Sequence, residues 1–115
     1  MTVKPGSYDF TIYQGATFSR VLTWKDDSDN LINLTGYTAR MQIRQRVGGD
    51  VLTTLTTENG GITLGGAAGT ITLTISATNT AAITMDGVYD LEMVSGSTVT
   101  RLLQGSVTLS KEVTK

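Results

Sequence analysis

Apolar and polar residues alternate along most of this chain, and polar turns interrupt the alternation at fairly even spacing. Tyr8, Phe10 and Ile12 alternate with Asp9, Thr11 and Tyr13, then Gln14, Gly15 and Ala16 make a turn. Phe18, Leu22 and Trp24 share the next parity, interrupted by Arg20. Asp26, Asp27, Ser28, Asp29 and Asn30 form a loop, because such side chains cap their own backbone in turns. Residues 31–34 read as a short extended piece. From Tyr37 to Arg46 the alternation is cleanest, with Tyr37, Ala39, Met41 and Ile43 on one face. Thr38, Arg40, Gln42, Arg44 and Arg46 occupy the other.

The remainder follows the same rhythm. Residues 47–50 predict a hairpin turn, and residues 51–57 a Thr-rich return strand. Asn59-Gly60 predicts a type I′ turn, and the glycine cluster 60–69 a flexible loop. Residues 70–76 alternate with Ile71, Leu73 and Ile75 inside. Ser76 or Thr78 is placed to cap one helical turn through the alanines. Tyr89, Leu91 and Met93 alternate against Asp90 and Glu92. Residues 95–97 turn the chain into a last strand that Gly105 interrupts as a bulge. The expected fold is one all-β domain over 1–115: an antiparallel immunoglobulin-like β-sandwich of seven to nine strands with at most one helical turn. Residues 1–7 and 111–115 are expected to be loose.

Composition narrows the chemistry. Threonine fills 21 of 115 positions and proline only one, which suits short pleated strands joined by turns. The chain has no cysteine and no histidine, so disulfides, thiol nucleophiles and imidazole bases are excluded. A net charge of −1 argues against binding nucleic acid by bulk electrostatics. No apolar run has the length of a membrane span, and the first residues have no apolar signal region.

The remaining constellations are weak. The loop at Asp26, Asp27, Asp29 and Asn30 offers oxygens for calcium but lacks the EF-hand order, so a solvated loop is expected. Asp90 and Glu92 have the spacing of an acid/base pair, yet cross-strand pairing with Arg40 or Arg44 is the expected role. The glycines fit neither a dinucleotide fingerprint nor a Walker A loop. The Asn33-Leu34-Thr35 glycosylation match is read as chance. For Arg40, Arg44, Arg46 and Arg101, two readings stay open: a solvated, ion-paired sheet face, or a protein interface. A nucleic-acid grip is disfavoured because no aromatics interleave with the arginines. No catalytic residue, cofactor or metal is expected.

The segments "YDFTIYQGATFSRVLTW", "NLTGYTARMQIR", "ITLTISATNTAAI", "GVYDLEM" and "TVTRLLQGSVTLSKEVT" together resemble small tailed-bacteriophage virion proteins. The likeness covers about residues 7–114 and is similar to the N-terminal domain of phage baseplate upper proteins. It rests on packing and turn residues, including Trp24, residues 34–37, residues 89–92 and Gly105. The resemblance implies an immunoglobulin-like sandwich that works in the virion as a non-enzymatic structural module. It would be present in multiple copies docked on other virion proteins, at the tail, baseplate or head–tail region. Capsid decoration is the alternative within that class. A carbohydrate- or host-surface-binding module is the alternative outside it, with Tyr13 as the main exposed ring for stacking. The Thr-rich segments 51–57 and 70–76 are the expected edges for strand addition.

Overall fold

The computed structural model describes residues 2–114. It contains ten strands among the described residues: β1 Thr2–Val3, β2 Gly6–Ser7, β3 Phe10–Tyr13, β4 Phe18–Trp24, β5 Thr38–Arg44, β6 Val51–Thr56, β7 Ile62–Leu64, β8 Thr70–Ile75, β9 Gly87–Ser95 and β10 Thr98–Ser110. One helical turn, α1, spans Ala77–Ala81, and a 3-10 turn spans Gly66–Ala68. The strands form two sheets, ordered β1-β4-β8-β7 and β2-β10-β9-β5-β6, with β3 also pairing with β10. The all-β expectation holds.

Alternation explains which residues meet in the core. Inward positions of both sheets, among them Leu22, Met41, Ile43, Ile71, Leu73, Leu91 and Met93, join one hydrophobic cluster. Trp24 packs edge-on against Tyr37 with ring centroids 6.0 Å apart. Phe10 sits among Tyr8, Phe18 and Tyr89, at centroid distances of 5.0, 5.8 and 5.0 Å. Such pairs add roughly 0.5–1.5 kcal/mol each beyond the area they bury.

Several expectations need correction. The sheets are mixed, because β1 runs parallel to β4, and β2 and β3 run parallel to β10. Ten strands exceed the expected seven to nine, since residues 2–7 are not loose: β1 and β2 pair, and Val3 is buried. Backbone hydrogen bonding does not require apolar side chains, so polar composition misled there. Residues 31–34 form only one isolated bridge, Lys25 to Leu31. The glycine loop contains the 3-10 turn, so there are two helical pieces where at most one was expected. Residues 111–114 carry no strand, although the Glu112 N–H donates to Gln14 Oε1 at 3.0 Å.

Gly105 is not a bulge. It pairs regularly with Tyr89, and the extra residue in β10 is Leu102, between Arg101 and Leu103. That bulge explains why two consecutive leucines, Leu102 and Leu103, are both buried. Gly105 serves instead as a place of close approach, since a Cβ there would collide with the Tyr8 carbonyl oxygen.

Around Gly105 the opening segment, which has already joined the β10 sheet as β2, passes on into β3. The Tyr8 N–H donates to the Gln104 carbonyl at 2.9 Å, and the Tyr89 hydroxyl donates to the Tyr8 carbonyl at 2.6 Å. Between β2 and β3 the Asp9 carboxylate accepts the Ser106 N–H at 2.9 Å, replacing a ladder bond. That bond to Ser106 lowers the Asp9 pKa, while burial pushes the Tyr89 hydroxyl upward.

A second set of bonds closes the far end. Ser76 caps α1 by accepting the Asn79 N–H at 3.2 Å. Thr80, fully buried, accepts the Gly15 N–H at 3.1 Å and donates to the Ala16 carbonyl at 2.8 Å. Gln14 donates to the Ile83 carbonyl at 2.9 Å. The β3–β4 turn is thereby fastened to α1.

Two outcomes follow from the crossing. Gly105→Ala should destabilise the protein by about 1–3 kcal/mol in urea unfolding, because the Tyr8 backbone must move away. Asp9 carries a lowered folded pKa, so its contribution is present above the ordinary carboxylate value and lost as pH falls through the folded one. The stability gap between the protein and Asp9→Asn should therefore narrow as pH drops below 3.8. A constant gap across a series of acid unfolding curves would contradict this role.

Candidate functional site

The outer face of the sheet formed by β6, β5, β9 and β10 gathers most of the charged residues singled out in the sequence. Strand register arranges them in rows. Arg40 lies opposite Glu92, and Glu92 opposite Arg101; Gln42 lies opposite Asp90, and Asp90 opposite Gln104. Two ion pairs exist among the described residues. Arg40 Nε reaches Glu92 Oε1 at 2.7 Å, and Arg101 Nε reaches Asp90 Oδ2 at 3.7 Å.

The expected arginine row is thus divided. Arg40 pairs with Glu92 as anticipated, but Arg44 takes no carboxylate: it donates to Gln42 Oε1 at 2.8 Å and to the Gly49 carbonyl at 2.8 Å. The β5–β6 turn draws it away from β9. Arg46 leaves the row because β5 ends at Arg44, and its carbonyl closes the turn by accepting the Gly49 N–H at 2.8 Å. Arg101 comes from a distant segment and completes a positive–negative–positive row with Glu92 and Arg40. Two shallow grooves lie on this face, of about 250 and 290 Å³, sharing Gln42, Asp90 and Glu92.

Elsewhere the candidate chemistry is structural. Asp26 accepts the Ser28 and Asn30 N–H groups at 2.9 Å each, and the Asn30 bond is the main cause of its lowered pKa. Asp29 adopts a left-handed backbone at φ 67°. No three acidic side chains converge as a metal site among the described residues. A groove of about 370 Å³ between β6 and α1 is lined by Thr, Asn, Ser and glycine together with Leu55 and Ile75, without an aromatic ring. Tyr13 is well exposed, as its parity indicated, and Trp24 is buried.

The sheet edges differ from each other in a way the sequence did not disclose. Residues 70–76, read as an edge, lie inside their sheet because β8 is flanked by β4 and β7. β6 is an edge, yet two of its outward backbone groups are occupied. Asn59 donates through Nδ2 to the Thr54 carbonyl at 3.0 Å and accepts the Thr56 N–H at 2.9 Å. These are the two bonds that one residue of a neighbouring parallel strand would make. The Asn59 carboxamide therefore stands in for a strand and blocks this edge. Only Gly60 of the Asn59-Gly60 pair has positive φ, at 81°, so the turn is not type I′. The signal was an Asn three residues beyond a strand, which a turn rule reads as backbone geometry.

No helix among the described residues is long and apolar enough to cross a membrane. No protein-family model matches the chain, and no curated protein matches it.

The two ion pairs should be weak and unequal. The side chains of Arg40 and Glu92 are 56% and 25% exposed, and those of Arg101 and Asp90 59% and 43%. Double-mutant cycles should give less than about 1 kcal/mol for Arg40–Glu92 and a smaller value for Arg101–Asp90. Both couplings should shrink in high salt. A coupling for Arg101–Asp90 that equals or exceeds the other would overturn this ranking.

Proposed function

We propose that this protein is a non-enzymatic structural module of a tailed-phage virion, built as an immunoglobulin-like sandwich that docks on other virion proteins. The observation that carries the fold half of this reading is strand order. The sheet β1-β4-β8-β7 corresponds to strands A-B-E-D of an immunoglobulin domain, and β10-β9-β5-β6 to G-F-C-C′. Tyr89 sits near the start of the F-equivalent strand with its hydroxyl on a backbone carbonyl, as in a tyrosine corner. Departures are equally specific. Leu91 stands where antibody domains place the second cysteine, the buried Trp24 is on β4 and not β5, and β1 runs parallel to its neighbour.

The virion half rests on the resemblance of the segments quoted above to small phage structural proteins. The surface is compatible with it. Opposed charges pair as Arg40–Glu92 and Arg101–Asp90, and the groove beside β6 holds no assembled set of catalytic groups. In this role each copy makes a small contact, and avidity comes from repetition in a symmetric particle.

Immunogold labelling and mass spectrometry of purified particles of the encoding phage test the reading. The expected result is multiple copies per virion, with gold at the tail, baseplate or head–tail junction. Gold spread over the capsid would favour decoration. Absence of the chain from intact particles would refute the virion role.

A further inference from the structure

The N-terminal segment leaves a stretch of the β4 edge without a strand partner among the described residues. Along β4, Trp24 sends its N–H to the Gly69 carbonyl at 2.9 Å, on the β8 side. Strand alternation then directs the N–H and C=O groups of Ser19 and Val21 to the opposite edge. Among the described residues, β1 covers that edge at Thr23 and Trp24 alone. The residues that would extend it have crossed to the other sheet as β2 and β3 and pair with β10. Unlike β6, this edge has no side chain in place of a strand among the hydrogen bonds of the described residues.

Arg20 lies at the same place. It occupies a core-side position on β4, with its guanidinium carbon 5.5 Å from the Phe18 ring and 5.8 Å from the Phe10 ring. Phe10 belongs to β3, so Arg20 spans the seam between the two sheets. Its Nε is buried without a hydrogen-bond partner, and neither ion pair of the described residues includes it. A buried charged donor left unmatched carries a desolvation cost that an incoming carboxylate would relieve.

We infer that the β4 edge at Ser19–Val21 is a docking site for an extended strand of a partner protein that carries an acidic residue facing Arg20. The strand adds to the sheet through Ser19 and Val21, and its carboxylate takes the Arg20 Nε–H. Two features select this occupant over a second copy pairing β4 with β4. Self-pairing would bring two Arg20 residues together and supply no acid, since β4 contains none. The inference deepens the docking half of the reading above but does not depend on which particle contains the protein.

The test uses the whole chain and a blocked heptapeptide, Thr-Val-Thr-Glu-Thr-Val-Thr, in which alternation turns both valines and the glutamate to the same face. Titration is followed by NMR of backbone amides and the Arg20 Nε–H. The expected result is saturable shifts at Ser19, Val21 and Arg20 Nε, with a Gln-substituted peptide binding about tenfold more weakly. In Arg20→Met, which keeps the stem over the phenylalanine rings, the two peptides should bind alike. If that variant fails to fold, the Glu-against-Gln contrast on the natural chain decides alone. Equal binding of both peptides, no binding, or shifts centred on β6 or the Arg40 face would overturn the proposal. Concentration-dependent shifts at β4 without peptide, with a doubled sedimenting mass, would assign the edge to a second copy and also overturn it. Peptide binding by a protein absent from virions would leave this surface standing and remove the phage role. Presence in virions without peptide binding would do the reverse.

Discussion

The structure depends on the close passage of Tyr8 over Gly105. A side chain at that position would collide with the Tyr8 carbonyl, and without one the opening segment lies flat against β10. The Tyr89 hydroxyl and the Asp9 carboxylate then fasten it from two sides. Both are hydrogen bonds of modest net worth, roughly 0.5–1.5 kcal/mol for a neutral pair and more for a charged acceptor. Their importance is positional. They commit residues 6–13 to the β10 sheet, and that commitment withdraws the same residues from β4.

Seen this way, the edges are related to one another. One end of the β10 sheet is covered by the N-terminal crossing, and the other, β6, is blocked by the Asn59 carboxamide. β7 and β1 are only three and two residues long, and short edges offer little template for pairing. Exposed length remains on β3, which pairs only with β10 among the described residues, and on β4, where Arg20 fills the seam and keeps a donor unused. On the face that first attracts attention, Arg40 and Arg101 have carboxylate partners and Arg44 has neutral acceptors. The less conspicuous edge has unmatched polar groups.

Local patterns were legible where the answer was local. The parity of Tyr37, Ala39, Met41 and Ile43 gives β5 and its buried face, and the opposite parity brings Arg40 to Glu92. The hairpins at residues 47–50 and 95–97, and the Ser76 cap, follow from turn and capping chemistry. Parallel pairing did not announce itself, because Phe10 lies opposite Val107 and no short window contains both. Gly105 was read as a bulge for the same reason: its neighbour is a backbone almost the whole chain away. The bulge itself had a signal in the adjacent leucines Leu102 and Leu103, which break strict alternation. Asn59 misled because its side chain, not its backbone conformation, does the bonding. Arg20 read as an interruption of a face, and only the position of Phe10 across the seam gives that interruption a meaning.

The parallel pairing of β3 with β10 has a consequence for how the molecule comes into being. β2 and β3 find their partner only in β10, so closure spans most of the described residues and contact order is high. On the ribosome, the Phe10, Phe18 and Tyr89 ring cluster can form before its cover is complete, but β9 keeps an unpaired side until residues 98–110 emerge. Until β10 is available, the folding chain is thus exposed to wrong strand partners. A chain cut before β10 is an aggregation hazard, not a partial module.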